Sequence, residues 1–318
     1  MTPPAPGAPA GLPRRAPEWI RERRLKLVDL HSVKSVARSH GLSTVCEEAR
    51  CPNRGECFSR GTATFLLLGD VCTRACGFCD IATGRPAAAD PFEPARLAAA
   101  ARDMGLAFVV VTAVARDDLA DGGASHFAAS IRALRRLDPA PGVEVLVPDF
   151  KGRFESVRIV AEERPDVFNH NVETVRRLYA RVRRGANLDR SLGVLAAAKE
   201  LVPDLTTKSG FMLGLGETRD EVLELLGALK SAAVDVVTIG QYLQPSRQHL
   251  PIEEYVPPAV FEEYREAGEA LGFRHVFSGP FVRSSYRAEE ALVLAQNAKG
   301  DPSNTAIAKD TDPSRSLS

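Results

Sequence analysis

The 318-residue chain has little cysteine, a single tryptophan and no excess of charge of either sign, and these scarcities exclude several classes of protein. Lysine and arginine together number 41, as do aspartate and glutamate, so no basic excess favours nucleic-acid binding. No apolar run reaches the roughly 18 residues that a membrane-spanning helix needs. The first residues are rich in proline and alanine and lack the apolar core of a signal peptide. We therefore expect a soluble, cytoplasmic protein in a reducing environment.

The six cysteines of the chain all lie between residues 46 and 79. They form two groups of three, spaced C-x4-C-x5-C and C-x3-C-x2-C: Cys46, Cys51 and Cys57, then Cys72, Cys76 and Cys79. Three thiolates on one tight loop can hold three corners of an iron–sulfur cube and leave the fourth iron open to a ligand. An open iron suits a cluster that performs chemistry, so the spacing predicts an enzyme with two clusters.

Disulfides and structural zinc are the other uses that such cysteines could have. A disulfide framework is typical of short secreted chains, and we expect no secretory signal in this long one. Zinc binds thiolates at short spacings, but its structural sites normally close with four Cys and His ligands. Neither group has a nearby histidine, because His31 and His40 precede the first group and His126 is the next. The spacing alone does not exclude zinc, but groups of three cysteines favour iron–sulfur clusters.

Strand and helix patterns alternate after the second cysteine group. Apolar, β-branched runs predict six strands: 64–69, 107–112, 143–147, 167–173, 206–214 and 234–240. Helical spacing of apolar residues predicts helices at 29–40, 122–136, 152–163, 190–201 and, after an N-cap at Thr218, up to 231. Repeated βα units build a parallel sheet, and six units fall short of a complete barrel. The predicted fold class is α/β, a partial (βα)6 TIM-type barrel whose N- and C-terminal extensions carry an auxiliary cluster.

Five regions follow from these patterns. We expect a disordered leader at 1–16, an N-terminal extension with the auxiliary cluster loop at 17–62, the partial barrel at 63–245, a C-terminal segment that closes the barrel mouth at 246–288, and a largely disordered tail at 289–318. The second cysteine group then lies at the carboxyl end of the first strand, where such folds build active sites.

Polar side chains fall at or near the carboxyl ends of the predicted strands: Asp117, Asp118, Asn169, Asn171, Glu173, Lys208, Gln241 and Tyr242. Each alone is most simply a helix cap or a loop hydrogen-bonding group. Because these strand ends meet at one mouth, together they predict a polar ligand site over the cysteine loop. The glycine-rich stretch 210–216 lacks the P-loop lysine and the dinucleotide spacing, so we interpret it as a tight strand-to-helix turn.

Several of these motifs together resemble a known enzyme family. The second cysteine group, with Phe78 before its last cysteine, resembles the signature of radical S-adenosylmethionine (SAM) enzymes. In that superfamily the amino and carboxylate groups of SAM bind the open iron. Segments 46–57, 61–65, 240–245 and 283–286, the last reading Arg-Ser-Ser-Tyr, resemble the lipoyl synthase family within it. The resemblance runs from about residue 17 to residue 287.

The resemblance implies an activity, cofactors and partners. Members of the family are sulfurtransferases that insert two sulfur atoms at C6 and C8 of an octanoyl chain carried on a lysine of a protein domain. An electron from the cluster of the second cysteine group cleaves SAM, and the 5′-deoxyadenosyl radical removes hydrogen from unactivated carbon. The cluster of the first group donates the sulfur. Two 4Fe–4S clusters, SAM, an octanoylated carrier domain and a ferredoxin- or flavodoxin-type electron donor are implied, without nucleic acid or membrane. The alternatives are another radical sulfur-inserting enzyme and a non-catalytic iron–sulfur scaffold or electron carrier.

The resemblance also implies roles for single residues. All six cysteines are implied to be cluster ligands with catalytic roles. Ser285 is implied as a further ligand of the auxiliary cluster, with Ser284 as the near alternative, although turn bonding explains most serines. Contacts to SAM are predicted for Phe78, Asn171, Glu173, Lys208 and Gln241.

The sequence departs from the family pattern in two places. Arg176 follows Val175 where the family pattern has proline, and residues 183–186, Arg-Arg-Gly-Ala, are atypical. Both places lie in a predicted helix and loop, which we expect to be away from the cysteines. The departures therefore bear on local backbone or partner contacts rather than on the chemistry.

Overall fold

A mostly parallel sheet of eight strands organises the residues that the computed structural model describes, which are 16–21, 37–45, 57, 60–290 and 293. The predictions for residues 1–15, for most of the helix at 29–40 and for most of the tail lie outside these residues. Cys46 and Cys51 lie outside them as well.

The strands of the structure are short and, apart from the first, parallel to their neighbours. They are β1 Ser43–Thr44, β2 Thr62–Leu67, β3 Val71–Cys72, β4 Ala82–Thr83, β5 Phe108–Ala113, β6 Gly142–Leu146, β7 Val167–Asn169, β8 Thr206–Leu213, β9 Val236–Gln241 and β10 His275–Ser278. The main sheet has the order β1-β2-β5-β6-β7-β8-β9-β10, and β3 and β4 form a separate parallel pair. The sheet is not closed, because its end strands β1 and β10 do not pair with each other.

Helices connect the parallel strands. They are α1 Glu18–Arg21, α2 Glu93–Asp103, α3 Ala124–Arg135, α4 Phe154–Ala161, α5 Tyr179–Val182, α6 Leu188–Leu201, α7 Arg219–Ser231 and α8 Pro258–Ala270, with 3-10 turns at Phe150–Gly152 and Arg176–Leu178. Six βα units in one open, parallel sheet confirm the prediction of a partial barrel. In the described part of the chain, no helix has both the length and the apolar character that crossing a membrane requires.

The amphipathic pattern of α3 shows how the helices cover the sheet. Phe127, Ile131 and Leu134 recur at helical spacing, and all three are completely buried. They belong to the same apolar cluster as Val109 of β5 and Val143 of β6. Burial of this kind on the outer face of the sheet is the main stabilising contribution to such a fold.

The sheet has one parallel strand more than the sequence predicted. β10 pairs with β9, so the prediction of six strands is wrong by one, although six βα units do precede β10. Sequence patterns miss β10 because it has only four residues and begins and ends with the polar side chains of His275 and Ser278. The barrel sheet therefore extends beyond residue 245.

The C-terminal region contacts both ends of the barrel. At the carboxyl ends of the strands, Leu250 N donates a hydrogen bond to Gly77 O at 3.0 Å. At the opposite end, Ala288 packs with Phe108, the first residue of β5. Beside it, Thr62 Oγ1 donates to the Glu289 carboxylate at 3.0 Å. Residues near 250 thus lie at the mouth, whereas residues 288 and 289 lie at the far end.

Candidate active site at the barrel mouth

The second cysteine group lies on a loop that begins directly after β2. The chain turns at Leu68, which has a φ of 65°, and reaches Cys72 in the short strand β3. Gly84 N donates to Cys72 O at 2.9 Å and Cys79 N donates to Cys76 O at 3.2 Å, so the loop is compact. The three cysteines are half-buried, are not in disulfides and lie at the carboxyl end of the first barrel strand. The sequence-predicted position of the loop is thereby confirmed.

The thiols of this loop influence one another electrostatically. Burial raises the pKa of the Cys76 thiol to about 12, and the charges of Cys79 and Cys72 raise it while that of Arg183 lowers it. Burial likewise raises the pKa of Cys79 to about 11, again with a contribution from Cys72 that raises it. Thiols such as Cys76 and Cys79, whose charged form is disfavoured by burial, are stabilised as thiolates when they bind a metal centre.

The chemistry of the donors fits an iron–sulfur cluster. Thiolates are the ligands that such clusters take, and three of them leave one iron free for another ligand. Among the residues that the structure describes, no three His, Cys, Asp or Glu side chains converge on a single point as they would around one metal ion. The loop also presents further polar groups, since Arg74 N lies 3.4 Å from Cys72 Sγ as a hydrogen-bond donor.

Part of the first cysteine group can be placed near the C-terminal segment. Cys57 is half-buried and not in a disulfide, and its carbonyl oxygen accepts a hydrogen bond from Arg60 N at 3.1 Å. The Arg60 guanidinium forms ion pairs with Glu289 and Glu290. Ser285 is half-buried in the segment that leads to these two glutamates. The structure thus brings the chain next to Cys57 and the chain after Ser285 together.

Two of the predicted SAM contacts lie close to the cysteine loop. Glu173, with a φ of 68°, extends the edge of β7 by bonding its backbone to Gly210 and Met212 of β8. Its charge raises the pKa of both Cys76 and Cys79, which places it close to those thiols.

The surroundings of Glu173 are polar but incompletely satisfied. Burial raises the pKa of its carboxyl group, whereas the charge of Arg183 and a hydrogen bond from Asn171 lower it. Asn171 Oδ1 is buried and has no hydrogen-bond partner among the described residues. A side chain on Gly210 would clash with Thr238 and press on this same oxygen. The pattern indicates space for a ligand that donates a hydrogen bond to Asn171.

The other predicted SAM contacts already have partners within the protein. Lys208 Nζ lies 3.0 Å from the carboxylate of Glu144, with both side chains completely buried. The Gln241 amide donates to backbone carbonyls and accepts from Val256 N at 2.9 Å. Phe78 packs, half-buried, against the apolar cluster around β8 and β9. Direct contact of these three residues with SAM stays a prediction.

The expectation that residues 183–186 lie away from the cysteines is wrong. Gly77 N, inside the cysteine loop, donates to Val182 O at 2.9 Å. Arg183 is only 9% exposed, and its guanidinium donates to Asn171 O at 2.7 Å. The long connection after β7 therefore folds over the cysteine loop, which no local sequence pattern could show.

Three aspartates near the cysteine loop bind arginine side chains. Asp117 and Asp118 were predicted to face a ligand, but their carboxylates bind the guanidinium groups of Arg74 and Arg116. Asp149, which is completely buried, accepts a second hydrogen bond from Arg74 at 2.6 Å. The position of Arg74 between two cysteines of the motif is the signal that could have indicated these contacts.

The fold and the cysteine loop define a class of enzyme. The family model "Radical SAM superfamily" matches residues 66–229, just over half of the chain. Two solved structures share the fold at low sequence identity. Methylornithine synthase has a TM-score of 0.51 at 14% identity, over 83% of this chain and 76% of that one. The FeFe-hydrogenase maturase HydG from Carboxydothermus hydrogenoformans has a TM-score of 0.54 at 14% identity, over 83% and 65%. The chain belongs to the radical SAM superfamily.

Relatives that match most of the chain show which family within the superfamily it belongs to. The lipoyl synthase of Methylococcus capsulatus is 55% identical over 285 residues, 89% of this chain and 88% of that one. The lipoyl synthase of Azotobacter vinelandii is 53% identical over 91% of this chain and 88% of that one. The lipoyl synthase of Caldanaerobacter subterraneus is 54% identical over 89% of this chain and 99% of that one. Within the radical SAM superfamily, the chain belongs to the lipoyl synthase family.

Proposed function

We propose that the chain is a sulfurtransferase that inserts two sulfur atoms, at C6 and C8, into an octanoyl group carried on a lysine of a carrier protein. Identity of 53–55% to the three lipoyl synthases, over 89–91% of the chain, is the observation that carries this proposal. The three-thiol loop at the barrel mouth supports it, since removal of hydrogen from unactivated carbon requires a strong cofactor-derived oxidant.

Cys72, Cys76 and Cys79 hold the first 4Fe–4S cluster in this proposal, and SAM binds beside it. When bound, the cluster and SAM together supply the carbon radical that removes hydrogen from the substrate. Asn171 and Glu173 bind the polar methionine part of SAM. The buried, unpaired Asn171 Oδ1 is suited to accept a hydrogen bond from its ammonium group, and the Glu173 carboxylate adds negative charge nearby.

The auxiliary 4Fe–4S cluster is held by Cys46, Cys51 and Cys57, with Ser285 as a further ligand. The ion pairs of Arg60 with Glu289 and Glu290 support this assignment, because they bring the C-terminal segment to the chain beside Cys57. A serine oxygen is a harder, poorer ligand for iron than a thiolate, which suits a cluster that gives up sulfur.

Several side chains at the mouth exclude water from the reacting groups. Leu250 and Val182 each bond to Gly77 and cover the cysteine loop from two sides. Tyr242, completely buried below them, fixes this cover because its hydroxyl donates to Leu250 O at 2.8 Å. A dry site protects a reactive radical from side reactions with solvent.

The proposed reaction implies partners outside the chain. The substrate is an octanoylated domain whose lysine arm reaches into the mouth. The electron comes from a small ferredoxin- or flavodoxin-type protein, and the chain works in the cytoplasm, where a reducing environment protects thiols and clusters from oxidation. In this scheme the auxiliary cluster lies in region 17–62, and region 63–245 forms most of the barrel. Region 246–288 adds strand β10 to the barrel sheet and, near Leu250, covers the mouth.

Anaerobic incubation tests the proposal. Protein reconstituted with iron and sulfide is mixed with SAM, a strong reductant and an octanoyl-lysine peptide, and the products are separated by mass spectrometry. We expect 5′-deoxyadenosine together with a peptide that has gained two sulfur atoms. Deoxyadenosine with an unchanged peptide would indicate a radical enzyme with another substrate, and no deoxyadenosine would indicate a scaffold or electron carrier.

A further inference from the structure

The segment Ala115–Asp118, one residue beyond the end of β5, contacts the cysteine loop at Thr73 and Arg74 and at both of its ends. We call this segment the brace. Thr73, between the first two cysteines of the motif, donates its backbone N–H and its hydroxyl to Ala115 O at 3.1 and 2.8 Å. The same hydroxyl accepts a hydrogen bond from Asp117 N at 3.1 Å. On the side of the brace these bonds use only backbone groups, so substitutions of the brace side chains would leave them in place.

Arg116 adds a contact that depends on its side chain. Its guanidinium donates to Leu68 O at 3.1 Å and to Ala87 O at 2.9 Å. Leu68 lies where the chain leaves β2, and Ala87 lies where it returns after the cysteines. One side chain, only 2% exposed, thus joins the two ends of the loop.

Asp118 fixes the orientation of this guanidinium. Its carboxylate accepts from Arg116 Nε and Nη2, both at 2.9 Å, as a two-point contact. Such a fork holds an arginine in a defined plane, which a single lysine ammonium cannot reproduce. A lysine at this position could not bind both carbonyls and the carboxylate with the same geometry.

The end of the loop at Leu68 needs support of this kind. Its φ of 65° is a left-handed conformation that leucine rarely adopts. Leu68 N donates to the Glu93 carboxylate at 2.9 Å, and Leu68 O accepts from Arg116. The turn is thus held on both of its backbone groups, and the held turn directs the chain towards Cys72.

We propose that Arg116 is a positioning residue, which holds the cysteine loop in its cluster-binding shape before any metal is bound. This inference rests on the proposed function, because it takes Cys72, Cys76 and Cys79 as the cluster ligands. All of the contacts of Arg116 are to protein atoms, so they do not need the cluster to form. The loop is then preorganised for iron, and cluster binding does not have to supply the free energy of ordering it.

The test compares Arg116→Lys with the unmodified protein, with Arg102→Lys as a matched control. Arg102 pairs with Asp103 on the exposed surface of α2. Arg102→Lys therefore makes the same arginine-to-lysine change at a position away from the brace. All three proteins, including the reference in which Arg116 and Arg102 are unchanged, carry Cys51→Ser, so that only the first cluster contributes to the spectra. We measure hydrogen exchange of residues 69–87 before iron is added, and the change that SAM causes in the electron paramagnetic resonance spectrum of the reduced cluster.

We expect Arg116→Lys to speed exchange of the loop amides about tenfold and to raise the SAM concentration for half of the spectral change by a similar factor, since it loses buried hydrogen bonds. Arg102→Lys should match the reference protein in both the exchange rate of the loop amides and the SAM concentration for half of the spectral change. If Arg116→Lys does not fold, Asp118→Asn, which keeps the two carbonyl contacts but removes the fork, takes its place with smaller changes expected.

Exchange and SAM response equal to those of the control in the folded variant would overturn the role of Arg116. That outcome differs from failure of the premise that Cys72, Cys76 and Cys79 hold a SAM-binding cluster, in which the reference protein itself would show no spectral change with SAM. Failure of sulfur insertion alone is detected separately, by an unchanged octanoyl-lysine peptide.

Discussion

Lys208 and Glu144 form an ion pair inside the barrel, with Lys208 Nζ 3.0 Å from the carboxylate and neither side chain exposed. Asn169 Nδ2 donates to the same carboxylate at 2.7 Å, so strands β6, β7 and β8 are joined by one polar network. Because water does not reach this network, each charge depends on its partner. The pair therefore holds the strands whose loops carry Asn171, Glu173 and the cover of the cysteine loop.

Removal of one partner should destabilise the protein strongly. Lys208→Met leaves the Glu144 charge buried without its partner, which typically costs about 3–5 kcal/mol. We expect a loss of that size in the free energy of unfolding, measured by urea denaturation. The double variant Lys208→Met with Glu144→Gln is the control, and it should recover much of the loss. A single variant as stable as the unmodified protein would show that the pair is not important for the fold.

The two cysteine groups should have separable roles. In the proposed scheme Cys76→Ser removes a ligand of the first cluster, so we expect no deoxyadenosine from SAM. In the same scheme Cys51→Ser removes a ligand of the auxiliary cluster, so deoxyadenosine should still form while no sulfur enters the peptide. Both products are measured by chromatography and mass spectrometry. Equal loss of SAM cleavage in two correctly folded variants would contradict separate roles.

Replacement of Ser285 should block sulfur release. If Ser285 binds the auxiliary cluster as proposed, Ser285→Cys substitutes a softer and stronger ligand for iron, which should keep that cluster intact during turnover. We expect deoxyadenosine without lipoyl product, measured in the same assay. Ser284→Cys is the matched control, because it places the same thiol one residue earlier in the segment. Product at the unmodified rate from Ser285→Cys, or a block only in Ser284→Cys, would assign the ligand role elsewhere.

His170 should make stability depend on pH. Burial lowers the pKa of this imidazole to about 3, and the neighbouring charge of Arg183 also lowers it. The Nδ1 atom of the ring lies 2.7 Å from Val147 O, and the residue is completely buried. Because the unfolded chain binds a proton near pH 6.5 and the folded chain does not, the stability that the neutral ring contributes is complete above that pH. It is lost as the pH falls towards 3.

We expect this group to lower the free energy of unfolding by about 1 kcal/mol for each pH unit between about pH 6 and pH 4. The measurement is urea denaturation of cluster-free protein, so that acid-labile clusters do not contribute. His170→Gln should show a shallower dependence than the unmodified protein over this range. Parallel curves would mean that His170 is protonated equally in the folded and unfolded chain.

Local patterns in the sequence predicted the barrel and the cysteine loop. The β-branched run around Phe108–Ala113 favours a strand by its own composition, and the C-x3-C-x2-C spacing needs no distant residue to be recognised. The capping box of Thr218 and Glu221 is equally local, and the structure contains it. These features depend on neighbours a few residues apart.

Contacts between distant parts of the chain could not be predicted in this way. The bond from Gly77 to Val182 and the pair of Lys208 with Glu144 join different βα units, and neither leaves a pattern in the sequence. A polar residue at a strand end can equally serve a ligand or the protein itself. Lys208 and Gln241 have protein partners, whereas Asn171 keeps a buried, unpaired oxygen.

A single-turnover experiment with labelled sulfur tests most directly that this chain itself supplies the sulfur. The protein is reconstituted with iron and heavy-isotope sulfide, freed of excess sulfide, and mixed with SAM, reductant and octanoyl-lysine peptide. Mass spectrometry should find heavy sulfur at both positions of the product, at no more than one product per chain. Product with sulfur of natural isotopic composition would contradict an auxiliary cluster as the donor.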